Sequence, residues 1–171
     1  MRRTEYPAAL RDFERGISIH ADSFSLVGAG QAYAALGEVQ TAEKMFRRAL
    51  ERDEYDAEAA NQMGLLLARQ NRAEEARRYF ERAIAAQRDH ASAINNLGVL
   101  YMQMNKVDDA LAAFRYGIEV APDNETLYLN LARFYARSGD RAKARDILQQ
   151  LLVRKPDSAV ARKALQELAE Q

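Results

Sequence analysis

Three carboxamide side chains recur at an interval of 34 residues, at Gln62, Asn96 and Asn130. A carboxamide carries an N–H donor beside a carbonyl acceptor, so it can pair with both the C=O and the N–H of one peptide unit. A column of such residues could therefore hold the backbone of an extended peptide, whatever side chains that peptide carries. Asn61 and Asn95 stand next to the first two members of the column.

Apolar and cationic residues follow the same column. Leu65, Val99 and Met102 come about one helical turn later and could take apolar side chains, and Arg133 and Arg137 share a helical stripe that could favour acidic groups. The competing interpretation is that these are ordinary polar residues on a wet surface. The predicted peptide-binding residues are Gln62, Asn96, Asn130, Asn61, Asn95, Leu65, Val99, Met102, Arg133 and Arg137.

The sequence offers no set of residues for catalysis or metal binding. There is no cysteine, and the two histidines, His20 and His90, are interpreted as exposed helix-end residues. Catalysis needs converging groups with tuned pKa values, which are not evident here. Gly28-Ala29-Gly30 lacks the preceding strand and the third glycine of a nucleotide-binding loop. We therefore predict that the chain is not an enzyme and has no catalytic residue, metal or cofactor.

The charge balance narrows the class of partner. Lysine and arginine number 25, and so do aspartate and glutamate, which favours neither nucleic acid nor an anionic membrane. No apolar run approaches the ~20 residues of a membrane span, so no membrane insertion is predicted. The lack of cysteine fits the cytoplasm. We expect that location, unless the chain is a piece of a longer exported protein.

The 34-residue interval extends well beyond the amides. One copy contains Leu97-Gly98, then Tyr101, Ala110 and Phe114, and ends at Pro122. Three columns of similar residues recur at this interval. Two consist of small residues and the third is aromatic except for Leu148: Gly30, Gly64, Gly98 and Ala132; Ala42, Ala76, Ala110 and Ala144; Phe46, Phe80, Phe114 and Leu148. The small residues predict close approach of paired helices, and the aromatic column is predicted to fill the space against the next repeat.

This pattern resembles the tetratricopeptide repeat (TPR) family over almost the whole chain. The resemblance implies an all-α fold of about ten helices. These form a TPR α-solenoid, a right-handed superhelix of antiparallel helix pairs with the first helices on its concave face. The predicted divisions are an N-terminal half-repeat helix at 1–22, four repeats at 23–56, 57–90, 91–124 and 125–158, and a capping helix at 159–171.

Turn and cap positions also recur. Glycine or asparagine, which tolerate the left-handed conformation, stands between the helices of each pair at Gly37, Asn71, Asn105 and Gly139. Aspartates that could cap the next first helix stand at Asp56, Asp89, Asp123 and Asp157.

The N-terminal segment is similar to the second half of a repeat. Its Phe13 and Gly16 reproduce the spacing of Phe114 and Gly117. The segment is either part of a longer array or an atypical end helix. We predict that another copy, or a missing helix, covers its apolar face. The alternative is that Phe13 packs inward on Phe24 and Leu26.

The family resemblance implies a role in protein binding. The amide column resembles the asparagine ladder in the TPR region of O-GlcNAc transferase, which holds a bound peptide by its backbone. The leading hypothesis is a non-enzymatic module that binds an extended peptide or protein segment in a concave groove. The alternatives are an accessory or scaffold domain of a larger enzyme or secretion or assembly protein, and self-association through the N-terminal end.

Overall fold

The computed structural model describes residues 6–19 and 22–170. Within these ranges the chain forms ten α-helices and no strand, which confirms the predicted helix number. Their bounds are α1 Tyr6–Ile19, α2 Ser23–Leu36, α3 Val39–Arg52, α4 Ala57–Arg69, α5 Ala73–Ala86, α6 Ala91–Gln103, α7 Val107–Val120, α8 Glu125–Arg137, α9 Arg141–Arg154 and α10 Ala159–Glu170. His20 lies outside the described residues.

The chain divides into two compact units, Met1–Arg88 and Asp89–Gln171. In the first unit, α1 to α5 pack each on the next, and α2 also contacts α4. In the second unit, α6 to α10 pack in the same sequential way, with additional contacts of α8 to α6 and to α10. Each unit therefore brings alternate helices side by side.

A glycine facing an aromatic ring sets the distance within three helix pairs. A Cβ built on Gly98 would lie 2.6 Å from the Phe114 ring, and the same clash arises at Gly30 with Phe46 and at Gly64 with Phe80. The predicted close approach at the small residues is thus confirmed. Each ring packs on the preceding helix of its own pair. The predicted contact of these rings with the following repeat stays a prediction.

Left-handed residues end the first helix of each pair, as the sequence predicts. The backbone φ is 85° at Gly37, 61° at Asn71, 58° at Asn105 and 83° at Gly139. Glycine adopts this conformation without strain, and asparagine tolerates it better than most residues do. These positions allow a short turn between paired helices.

The aspartate caps were predicted correctly only at α4. There Asp56 immediately precedes the helix, and its Oδ1 accepts a hydrogen bond from the Ala59 N–H at 2.8 Å. The prediction was wrong for α6, α8 and α10, because their first helical residue comes one position later than an aspartate cap would need. The residue after each aspartate is the cap instead: His90, Asn124 and Ser158.

Helix α1 is held against α2 by an aromatic contact and a polar contact. The rings of Phe13 and Phe24 meet edge to face, with centroids 6.1 Å apart, and the Phe13 ring also lies over Gly28. The Tyr33 hydroxyl donates to the Glu14 carboxylate at 2.5 Å. Phe13 therefore packs on α2, as the inward alternative predicted, while Phe24 remains 79% exposed.

Candidate functional site

Helices α6 and α8 of the second unit enclose a cavity of about 400 Å³. Its lining is Val99, Met102, Gln103, Asn130, Arg133 and Arg137. All of these except Gln103 are predicted binding residues. Gln103 lies one helical turn after Val99, so the helical period contained the signal that would have added it. We call this cavity the α6/α8 cavity.

The amides at this site bond to each other. The Asn130 Nδ2 donates to the Asn95 Oδ1 at 2.6 Å, and both side chains are half-buried. Asn96, also half-buried, is the neighbour of Asn95 on α6. One bond does not exhaust a carboxamide, because each has two N–H donors and a carbonyl acceptor. The Asn130 carbonyl can therefore still accept a hydrogen bond from a peptide N–H.

The predicted residues of the first unit lie on α4. Gln62 is half-buried, and its Nε2 donates to Glu58 Oε1 at 2.6 Å, an oxygen that Gln31 also approaches at 3.3 Å. Leu65 is half-buried one turn later. Asn61, in contrast, is only 2% exposed, so its amide belongs to the interior and does not form part of the binding surface.

Arg133 and Arg137 are the two cationic residues that line the α6/α8 cavity. Some arginines of the chain are held by glutamates: a hydrogen bond to Glu75 raises the pKa of Arg72, and hydrogen bonds to Glu74 and Glu81 raise that of Arg77. Arg133 and Arg137 are exposed, and in the part of the chain that the structure describes neither makes an ion pair. They place two positive charges at the cavity.

A second cavity, of about 270 Å³, lies between α8 and α10 and is called here the α8/α10 cavity. Its walls are mainly apolar: Leu129, Ala132, Ala136, Leu148, Val160 and Leu168. Ala164, Arg133, Lys163 and Glu167 complete its lining. Sequence reasoning treated α10 only as a cap and missed this cavity, although Leu168 lies on the apolar face of that helix.

A third cavity, of about 340 Å³, is lined by residues of α7, α8 and α9. Arg115 donates to the Tyr135 hydroxyl at 2.9 Å, and the Lys143 ammonium lies 5.5 Å from the centre of the same ring. Lys143 also pairs with Asp140 at 2.6 Å, and this hydrogen bond raises the lysine pKa. These groups link α7, α8 and α9, so we assign them a structural role.

The described residues contain no group of three or more histidine, aspartate or glutamate side chains that could hold a metal ion. No helix among them combines the length and the apolar character needed to cross a membrane.

Comparison of the sequence with family models gives matches described as tetratricopeptide repeat. One model matches residues 23–89, and another matches residues 66–115 and 101–168. No curated protein sequence matches the chain.

Solved structures similar to this chain include MamA, at 22% identity and a TM-score of 0.73, covering 91% of this chain and 92% of that one. TTC0263, a thermophilic TPR protein of Thermus thermophilus, has 19% sequence identity and a TM-score of 0.79, and the match covers 98% of this chain and 92% of that one. YrrB, described as a TPR protein with an unusual peptide-binding site, has 22% sequence identity and a TM-score of 0.66, and the match covers 95% of this chain and 84% of that one. These similarities confirm the predicted fold class.

Proposed function

The chain belongs to the tetratricopeptide repeat family, and from this we propose that it is a non-enzymatic interaction module that binds an extended segment of another protein. One observation carries the proposal: the α6/α8 cavity brings together Asn130, whose half-buried amide is bonded to Asn95, the apolar Val99 and Met102, and two arginines that make no ion pair within the described residues. The peptide-binding site named for YrrB shows that a protein of similar fold can bind peptides. The repeat boundaries predicted from the sequence are retained as part of this proposal.

Each part of the cavity suits a different part of a peptide. The Asn130 carbonyl would accept a backbone N–H, and such a bond contributes about 0.5–1.5 kcal/mol net. Arg133 and Arg137 would bind a carboxylate, for which the planar guanidinium is well shaped. Val99 and Met102 would contact aliphatic parts of the segment, and a flexible methionine adapts to different shapes. The preferred ligand is therefore an acidic extended segment.

In the first unit, Gln62 and Leu65 remain candidates for contacting the same class of ligand. The Gln62 amide nitrogen donates one hydrogen bond to Glu58. The Gln62 side-chain carbonyl can therefore still accept a hydrogen bond from a peptide N–H. The proposal does not depend on these residues.

The proposal also includes a cytoplasmic location, which rests on the absence of cysteine from the sequence.

Self-association is a second candidate, favoured by exposed aromatic residues in the first unit. Phe24 is 79% exposed and Tyr55 is 73% exposed. They lie near the adjacent starts of α2 and α4, because Ser23, next to Phe24, donates a hydrogen bond to Asp56, next to Tyr55. Sedimentation of the wild type and of a Phe24→Ser variant at increasing concentration tests this candidate, which predicts a dimer for the wild type only.

Selection from a displayed library of random short peptides tests the proposed function. The wild-type chain is expected to retain peptides rich in aspartate and glutamate, and the double variant Arg133→Ala with Arg137→Ala should lose them. The matched control is Arg141→Ala with Arg145→Ala, two exposed arginines at the same spacing on α9. Retention of no peptide above background, or of the same peptides by the Arg133 and Arg137 variant, would contradict the proposal.

A further inference from the structure

We propose that the α8/α10 cavity is an anchor pocket for a bulky apolar side chain of the same ligand, an inference that rests on the function proposed above. The ligand class is then an extended segment in which a bulky apolar residue lies near an acidic residue. Helix α10, expected from the sequence to serve as a cap, supplies one wall of the pocket.

The construction of the cavity favours an apolar occupant. Leu148 and Ala132, at 1% and 3% exposure, belong to the core and form its floor. Val160, on α10, is 48% exposed at the opening. An aliphatic or aromatic side chain placed here would remove its own surface and that of Val160 from water, which is the main source of affinity in such pockets.

The sequence of the fourth pair explains why space is left. Gly98 faces the Phe114 ring in the third pair, whereas the corresponding residues of the fourth pair, Ala132 and Leu148, both line the cavity. Leucine has a smaller side chain than phenylalanine, and the remaining wall of α10 includes the small residue Ala164. The pocket is therefore lined by short side chains on two sides.

Polar contacts hold the start of α10 and the turn that precedes it beside α8. The Ser158 hydroxyl, which caps α10, donates to the Glu125 carboxylate at the start of α8 at 2.7 Å. Lys155 pairs with the same carboxylate at 3.4 Å. The wall that carries Val160 is consequently fixed at its N-terminal end.

The two cavities adjoin, because Arg133 lines both of them. Packed helices lie ~8–10 Å apart, and an extended chain advances ~3.3 Å per residue. Sites on the two sides of α8 should therefore be reached by residues about two or three positions apart in one extended segment. This spacing links the apolar anchor to the acidic residue bound by Arg133 and Arg137.

The charge around the pocket agrees with an acidic segment. Arg133 and Lys163 lie at its edge, and its one acidic residue, Glu167, is paired with Lys163 at 3.8 Å. The edge therefore repels a basic segment and tolerates an acidic one. We commit to an apolar side chain of an acidic segment as the occupant.

Affinities of selected peptides test this inference on the full chain. Peptides retained by the wild type should carry a bulky apolar residue about two or three positions from an aspartate or glutamate. Replacing that apolar residue with alanine should weaken binding to the wild type about tenfold or more, the loss expected for one buried aliphatic side chain. Fluorescence anisotropy with labelled peptides measures both affinities.

Pocket variants locate the effect. Ala164→Phe should fill the pocket, so that the selected peptide and its alanine version bind equally weakly. Ala169→Phe adds the same side chain at an exposed site of α10 and should keep the tenfold difference. Val160→Ser makes the wall less apolar at an exposed position. It should reduce the difference in affinity between the selected peptide and its alanine version. This test does not depend on whether Ala164→Phe folds.

The outcomes separate this inference from the proposed function. Acidic peptides without an apolar preference, or a tenfold difference that persists in both Ala164→Phe and Val160→Ser, would overturn the anchor pocket and leave the proposed function standing. Failure to retain acidic peptides would overturn both. A dimer of the wild type that Ala164→Phe converts to a monomer would show a second copy as the occupant and would also overturn the inference.

Discussion

The side-chain amide of Asn130 on α8 donates a hydrogen bond to the side-chain oxygen of Asn95 on α6, across 2.6 Å. The two residues come from helices separated in sequence by all of α7. Their bond joins two helices that present the candidate binding residues, so it both links these helices and orients the Asn130 amide.

A double-mutant cycle measures this link. Asn95→Ala and Asn130→Ala should each lower the free energy of unfolding by about 0.5–1.5 kcal/mol, the net value of one hydrogen bond. The double variant should cost little more than either single one, because the same bond is lost only once. Urea denaturation provides the three values, and Gln103→Ala, an exposed change on α6, should be close to neutral. Strictly additive losses would argue against a direct link.

The facing pair Gly98 and Phe114 gives a second prediction. Gly98→Ala should destabilise the chain by about 1–3 kcal/mol, because the new Cβ would lie 2.6 Å from the ring. Combining it with Phe114→Leu reproduces the alanine and leucine found at Ala132 and Leu148, and the combination should cost less than the sum of the single changes. Thermal and urea unfolding measure the loss of stability in the two single variants and the double variant. A double variant as unstable as that sum would show that the two positions are not coupled.

Much of the fold follows from the 34-residue interval. A small residue such as Gly98 is needed where two helices approach closely, and a residue that tolerates positive φ, such as Asn105, is needed where the chain turns back. Both residue types therefore predict the local structure from the sequence. The number of helices was predictable for the same reason. The interval also contained the cap positions, because His90, Asn124 and Ser158 follow Asp56 at successive steps of 34 residues. The prediction chose Asp89 and its equivalents by residue type instead, and these lie one residue before that register.

The candidate site was less predictable. The interval identified Asn130, Arg133 and Arg137 as residues on one helix face, but it could not show that Asn130 bonds to Asn95. That bond depends on side-chain rotamers and on the rotation of two helices about their axes. Neighbouring residues on a helix point about 100° apart, which explains why Asn61 is buried although Gln62 beside it is half-buried.

Tyr33 gives a prediction about alkaline pH. Its hydrogen bond to Glu14, helped by burial, raises its pKa from 10.0 to about 12. Because the folded-state pKa is raised, the contribution of this bond to stability is present below about pH 10 and is lost as the pH rises through about 12. The attachment of α1 to α2 should weaken over that range. The tyrosinate absorbance of wild type minus Tyr33→Phe should show one phenol titrating near 12.

The control for this titration is Glu14→Gln, which removes the carboxylate charge beside the Tyr33 hydroxyl. The Tyr33 midpoint should then fall, because the interaction with Glu14 is the largest cause of its raised pKa. An unchanged midpoint would contradict the predicted effect of Glu14 on Tyr33.

Salt dependence distinguishes the arginines from the amides in ligand binding. Arg133→Ala should weaken the binding of an acidic peptide by up to about fivefold, since exposed ion pairs contribute about 0.2–1 kcal/mol. Screening shortens from about 10 Å at 0.1 M salt to about 3 Å at 1 M, so this loss should shrink as salt is added. Asn96→Ala with Asn130→Ala should instead weaken all peptides to a similar extent at every salt concentration, because backbone bonds carry no net charge. Anisotropy titrations at several salt concentrations measure both effects, and an Arg133→Ala loss that stays constant up to 1 M would show that Arg133 acts by packing and not by charge.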